Sequence, residues 1–362
     1  MSPADFYAPS FLINVKGNKL QHGKTLEVLT LSVTDTANQA DSFMFTVQDR
    51  HPQVGHFSGG QNLKWMDSGQ FDEGNEVEIS MGYVDKLEFM LRGEITAVSA
   101  SFPGSGAPTL MVRGFCLYHQ LQRRRRREPF KSSTDSGIAK EIASDMKLTP
   151  KVDKTDVEYP LVSPNDATYA AILTQRAQRI GYEMVVKDRT LYFQKPRYLE
   201  KPAPAVTLEW GKNLQSFNPS LSTYNMATSV KVRASQTSRG QGKDPVVGEA
   251  KGSDMRVKLG PSTGPEIAQK IFKENPVLSD DHTVASQKEA KELAVAKLET
   301  RAMEFISGRG ACIGDPRLKA RTVIKLKGLG QRFSGDYYVT SATHTIDAGG
   351  YRTSFDVKRN GR

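Results

Sequence analysis

Apolar and polar positions alternate most regularly between Gly314 and Arg362. Val323, Ile324 and Leu326 form one run, Tyr337 and Val339 a second, and Tyr351, Thr353, Phe355 and Val357 a third. A period of two is the mark of a strand with one face buried and one face open. Gly328-Leu329-Gly330 and Gly349-Gly350 fall between these runs and suit the positive φ of tight reversals. The pattern predicts a three-strand meander. A similar grammar occurs earlier, in the strand around Val77–Met81, in Phe89–Val98 and in Thr109–Phe115. In both places an aromatic stands just ahead of a Gly-containing strand, as in Phe89-Met90-Leu91-Arg92-Gly93 and Phe333-Ser334-Gly335. Self-similarity of this kind predicts a duplicated unit, two unrelated meanders being the alternative.

The remaining elements fall around these two stretches. Phe11–Val15, Leu26–Val33 and Ser42–Val47 read as strands, with Gly17-Asn18 as a turn, so the chain up to Phe115 predicts a barrel or sandwich. The link from Gln48 to Gly74 reads as loop, with Gly59-Gly60 and an exposed Trp65-Met66. Thr134-Asp135-Ser136 offers caps for a helix whose face carries Ile138, Ile142, Ala143 and Met146. Ser163-Pro164-Asn165-Asp166 offers caps for a second helix through Tyr169, Ile172, Leu173, Ala177 and Ile180, stopped by Gly181. A hairpin of Tyr182–Val186 and Thr190–Phe193 follows around Lys187-Asp188-Arg189, and Pro196, Pro202 and Pro204 mark the exit.

Leu208–Trp210, Leu214–Phe217 and Thr228–Arg233 return to strand character. Residues 235–262 read as a long mobile loop and residues 283–304 as an amphipathic helix carrying Ala290, Leu293, Ala294, Ala296, Leu298 and Met303. The fold class is therefore α+β and mainly β. Its expected parts are a β domain at 1–118, a small helix-helix-hairpin domain at 119–200 and a second β domain at 201–362.

Composition narrows the class. With 362 residues, 25% charged and 38% hydrophobic, the chain has the make-up of a soluble globular protein with several domains. No run of apolar residues is long enough to span a bilayer, and the N-terminus has no basic-then-apolar pattern of a signal peptide. Synthesis in the cytoplasm and no membrane insertion are the expectations. Cys116 and Cys312, each flanked by apolar residues, read as buried thiols. The net charge of +10 is diffuse except at Arg123, Arg124, Arg125, Arg126 and Arg127. That run suits phosphate contacts, or a basic ring if copies assemble around an axis; a solvated charge run or ion pairing with acidic residues is the plainer alternative.

Chemistry is hard to place. No Gly-x-Ser-x-Gly elbow is present, and nothing around Ser334 or Ser341 makes either a nucleophile. His344, with Asp347 nearby, reads as a strand histidine held by packing or an inter-strand hydrogen bond. The histidines and cysteines lack metal-ligand spacing, Asp280-Asp281-His282 reads as a solvated turn, and Gly308-x-Gly310-x-x-x-Gly314 is not a dinucleotide fingerprint. No catalytic residue, cofactor or metal is expected.

The order of parts resembles the phage late control D family of baseplate hub proteins in contractile tails and injection systems, including the N-terminal part of VgrG proteins. The residues that carry the resemblance are Gly314-Asp-Pro-Arg-Leu318, Phe333-Ser-Gly-Asp-Tyr-Tyr-Val-Thr-Ser-Ala-Thr-His344 and Gly350-Tyr-Arg-Thr-Ser-Phe-Asp-Val-Lys-Arg359. It implies two tail-tube-like β-barrel domains with the small α+β domain between them. It further implies a homotrimer whose barrels form a pseudo-sixfold ring joining a central spike to the tail tube. The implied partners are the chain itself, a separate spike protein, tail tube proteins and baseplate wedge proteins, with nucleic acid only in the lumen. A separate spike is expected because no needle region follows Arg362. A nucleic-acid-binding protein using Arg123–Arg127 is the alternative, and a tail-associated hydrolase a weaker one.

Overall fold

The computed structural model describes residues 8–21, 28–49, 63–84, 86–236, 246–284 and 286–362. The first stretch is all strand: β1 (Pro9–Val15), β2 (Asn18–Gln21), β3 (Val28–Thr36), β4 (Ser42–Gln48), β5 (Glu76–Tyr83), β6 (Lys86–Ser101) and β7 (Thr109–Cys116). Inward positions such as Ile13, Leu31, Phe45, Ile79 and Val112 are fully buried, while alternate neighbours face out, as the period of two requires. Trp65 is a correction: it is buried, not exposed. Both carboxylate oxygens of Asp49 accept the amides of Trp65 and Met66 at 3.0 Å, turning the indole inward onto Phe71. Gly59-Gly60 lies outside the described residues.

Next come α1 (Tyr118–Arg123), β8 (Phe130–Thr134), α2 (Asp135–Asp145), β9 (Thr149–Val152), β10 (Glu158–Val162), α3 (Tyr169–Ile180), β11 (Glu183–Lys187) and β12 (Thr190–Gln194). Thr134 caps α2 by accepting from the Gly137 amide. The cap of α3 is Thr168 rather than the Ser163–Asp166 cluster, because Asn165 and Asp166 are spent on a turn with φ of +51° and +56°. Gly181 ends α3 in the left-handed conformation. Three strands of only four or five residues, β8, β9 and β10, are too short to show an alternation; β8 pairs with β10, and β9 adds to the β11–β12 hairpin in parallel. The apolar residues of α2 and α3 share one core with the first stretch.

The third stretch holds β13 (Val206–Glu209), β14 (Leu214–Leu221), β15 (Ser229–Gln236), β16 (Val246–Lys251), α4 (Gly264–Phe272), β17 (Pro276–Val284), α5 (Gln287–Ala302), β18 (Ile306–Ile313), β19 (Val323–Lys327), α6 (Gly330–Phe333), β20 (Gly335–Asp347) and β21 (Gly350–Arg359). Several expectations need correcting here. Within 235–262 the described residues include β16, which pairs with β15; residues 237–245 lie outside the description. The long helix starts at Gln287, capped by Ser286, and the stretch before it is β17, so Asp280-Asp281-His282 is strand rather than loop. The helix α4, with a Thr263–Glu266 capping box, was not foreseen. Helix α5 packs its Ala290, Leu293, Ala294 and Leu298 face on Val230, Val232 and Ala250 of a separate three-stranded sheet, in the order β16-β15-β17. The approach is close: a Cβ on Gly248 would stand 2.1 Å from the Ala290 backbone.

One antiparallel path joins most strands, in the order β14-β18-β21-β20-β3-β4-β7-β6-β5-β1-β2, with β19 alongside the first part of β20 and β13 alongside β19. Leaving out β2 and the insertion from β15 to α5, the early strands lie in the order β1-β5-β6-β7-β4-β3 and the late ones in the order β13-β19-β20-β21-β18-β14. Ranked along the chain, each set reads first, fourth, fifth, sixth, third, second. The irregularities recur as well. A bulge at Thr96 in β6 matches one at Thr340 in β20, and a bulge at Leu29 in β3 matches one at Gln215 in β14. The two β units differ in one pairing, β1–β5 being antiparallel and β13–β19 parallel, and in a bulge at Met90 of β6 that the β19–β20 ladder lacks.

Candidate interaction surfaces

The arginine run does not form one patch. It leaves the end of α1 as extended chain, so successive side chains diverge. Arg126 turns back onto α2, with Nη1 2.7 Å from Glu141 Oε1 and its guanidinium 4.0 Å above the Phe130 ring. Arg125 donates to the Asp166 carbonyl at 2.7 Å, and Arg127 Nε lies 3.3 Å from the Asp166 carboxylate. Arg123, Arg124, Arg125 and Arg127 are exposed. Contacts inside the chain therefore hold Arg126 on Glu141 and tie Arg125 and Arg127 to Asp166, while all but Arg126 stay exposed at the surface.

Three polar clusters hold the α+β middle to the two β units and to the α5 insertion. The β11–β12 hairpin inserts Lys187 between Asp35 and Asp41, bonding the first and standing 2.8 Å from the second. Burial opposes the Lys187 ammonium, yet the two carboxylates outweigh it and hold its pKa above the ordinary lysine value. Burial lifts the Asp41 carboxyl to about 7 against the pull of Lys187. On the other side, Glu183 accepts from Arg321 Nε at 2.8 Å and from the Tyr338 hydroxyl at 2.6 Å, all three side chains buried. Burial and then the Glu183 charge push the Tyr338 hydroxyl well above its usual pKa. The third cluster joins α3 to α5: Arg179 donates to the Tyr159 hydroxyl at 2.6 Å, which donates to Glu289 at 3.0 Å.

His344 is buried on β20 as an inter-strand residue. Its Nε2 lies 2.9 Å from the Leu318 carbonyl, which can only accept, so that nitrogen carries the proton. Nδ1 then accepts from the Tyr351 hydroxyl at 2.8 Å. Burial drives its pKa down to about 4, so the ring is neutral near neutral pH. The Thr353 hydroxyl also lies 3.1 Å from Nδ1. Cys116 and Cys312 are buried thiols whose pKa burial raises to about 12. Among the described residues no group of three or more His, Cys, Asp or Glu could hold a metal, and no helix is long and apolar enough to cross a membrane.

What the fold presents is a sheet face. Opposite the core, Ser32, Thr34, Ser42, Thr46, Thr343, Thr345 and Ser354 face outward, interspersed with Met44, Arg352 and Asp356, and the face continues without a break from one β unit to the other. At the join the Thr34 and Thr343 hydroxyls are 3.0 Å apart. Sequence reasoning missed this continuity, because nothing local announces a pairing between β3 and β20.

A family model described as the Alg8 N-terminal domain matches residues 7–348; it is this model that matches, not late control D. No curated protein matches the chain. Among solved structures, the 43 kDa tail protein of prophage MuSo2 from Shewanella oneidensis aligns with TM-score 0.70 and 12% identity, over 97% of this chain and 98% of that one. A tail protein from Neisseria meningitidis aligns with TM-score 0.68 and 15% identity, over 98% and 97%. An E. coli component of the type VI secretion system, described as similar to phage T4 tail proteins gp27 and gp5, aligns with TM-score 0.58 and 11% identity, over 97% and 77%. At these identities the likeness is one of fold: a mainly β fold shared with phage tail proteins.

Proposed function

The chain belongs to the family of the Alg8 N-terminal domain, and from the fold it shares with phage tail proteins we propose that it is a non-enzymatic structural hub in a contractile tail or injection system. The parts are residues 1–118 and 201–362, each built on one β unit, with residues 119–200 packed between them. Three copies place six β units around one axis, a ring that matches a threefold spike on one side and a sixfold tube on the other. The observation that carries this reading is the doubled strand order within one continuous sheet. A chain that repeats its own unit side by side supplies two of the six positions.

In the ring, the Ser/Thr face lines the channel, since the helices and cores occupy the opposite side. The partners are further copies of the chain, a separate spike protein, tail tube proteins and baseplate wedge proteins. The exposed Arg123, Arg124, Arg125 and Arg127 contact such partners. No observation favours the nucleic-acid reading over this one, as the run is divided and Arg126 is engaged within the chain. The test is mass in solution by light scattering, alone and with the neighbouring spike protein. A species of about 120 kDa, three times 40.0 kDa, is expected in at least one sample. A monomer in both, binding DNA with steep salt dependence, would overturn it.

A further inference from the structure

Among the described residues one strand junction joins the two β units, β3 against β20, and the two edges that correspond to that junction are unpaired. Matching the bulges puts Val98, Ser99, Ala100, Ser101 and Phe102 at the places of Ala342, Thr343, His344, Thr345 and Ile346. It puts Phe217, Asn218, Pro219 and Ser220 at the places of Leu31, Ser32, Val33 and Thr34. The second part of β20 is covered by β3. Among the described residues, the corresponding part of β6 pairs only with β7, and β14 pairs only with β18 apart from one bridge between its first residue, Leu214, and Trp210.

Side-chain exposure follows the same division. Ile346 is 3% exposed inside the core of the first unit, whereas Phe102, its counterpart, is 66% exposed. Ala342 and His344 are fully buried, whereas Val98 is half-buried and Ala100 exposed. On the other open edge Phe217 is half-buried where Leu31 is fully buried. Both edges thus show apolar, core-directed residues at positions that the internal junction covers.

We infer that these two edges pair between copies: the end of β6 in one chain adds to β14 of the next, repeating the β3–β20 junction and closing the ring. The inference rests on the hub reading and names the surfaces that make it. Carrying the register across sets Ser99 opposite Ser220, Ser101 opposite Asn218 and Phe102 opposite Phe217. Phe102 then enters the second-unit core of the neighbouring copy as Ile346 enters the first-unit core of its own. Pro219 tempers the seam. The Ala37 amide bonds the Thr340 carbonyl, so alternate amides of β3, including that of Val33, face β20; at Val33's counterpart the proline leaves one bond unmade. A proline on an exposed edge also discourages pairing with unrelated strands. The joint is heterologous, so it ends only where the rotation closes.

The test is a cysteine pair, Ser99→Cys with Ser220→Cys. Both sites are exposed and correspond to the closely facing Thr34 and Thr343. The full chain is oxidised at rising concentration and read by non-reducing electrophoresis and light scattering; Thr34→Cys with Thr343→Cys serves as the internal control and should close within one chain. A covalent trimer from the pair, with neither single variant going beyond two chains, is the expected result. A trimer by light scattering without a covalent bond overturns the seam and leaves the hub reading standing. A monomer with no covalent product at any concentration, both alone and with the neighbouring spike protein, overturns both, and covalent products longer than three chains overturn closure.

Discussion

Arg321→Met is expected to lower the unfolding free energy by about 3–5 kcal/mol, because it strands the Glu183 carboxylate in a buried site. Glu183 comes from the hairpin of the middle region, while Arg321 and Tyr338 come from the second β unit, so the cluster is a joint between parts. With Arg321 gone, only the Tyr338 hydroxyl and neighbouring water could answer the carboxylate. Replacing both charged partners, Arg321→Met with Glu183→Leu, is expected to recover most of the loss. What remains is the unpartnered Tyr338 hydroxyl, worth about 1–3 kcal/mol. Urea unfolding reads both variants as a shifted midpoint at unchanged slope. If the double variant were as damaged as the single one, packing rather than the buried charge would be the cause.

Lys187→Met is expected to cost a similar amount, about 3–5 kcal/mol, near pH 8, and far less near pH 4. Two carboxylates, Asp35 and Asp41, would face each other without a cation. Asp35 also accepts the Ala320 amide at 3.1 Å and Asp41 the Thr36 amide at 3.0 Å, so neither can swing away freely. Burial already lifts Asp41 to about 7 with the lysine in place, and losing the cation lifts it further. A carboxyl whose folded pKa is raised holds a proton that the unfolded chain has released. The penalty is therefore absent below the unfolded value, near 4, and accumulates as pH rises through the folded value. Stability curves of wild type and variant at several pH values test this. A loss of equal size at every pH would refute the electrostatic cause.

The strands of both meanders could be read from alternation alone because each has one buried face, and α2 and α3 could be read from apolar spacing and caps. The insertion around α5 could not. In β16 the core-directed positions are Gly248 and Ala250, small because α5 lies so close, and small residues leave no hydrophobic signature. In β17 the run Ser279-Asp280-Asp281-His282 looks like a turn. Nothing local marks Lys187, Glu183 and Arg321 as members of ion clusters, since their partners lie 138 to 155 residues away. The arginine run showed no sign that Arg126 is held by Glu141, because that contact exists only once α2 is folded. The repeat was legible as a shared grammar of strands and glycines. Its full extent, with the same strand order and the same bulges, emerges only from the pairings.

The most direct measurement is the symmetry of the assembled ring by electron cryomicroscopy of particles that contain this chain. Three copies around the tail axis are expected, with six β units at one level and the Ser/Thr face toward the channel. Six copies at that level, or a single copy away from the axis, would contradict the proposal that the doubled β unit exists to join threefold and sixfold parts.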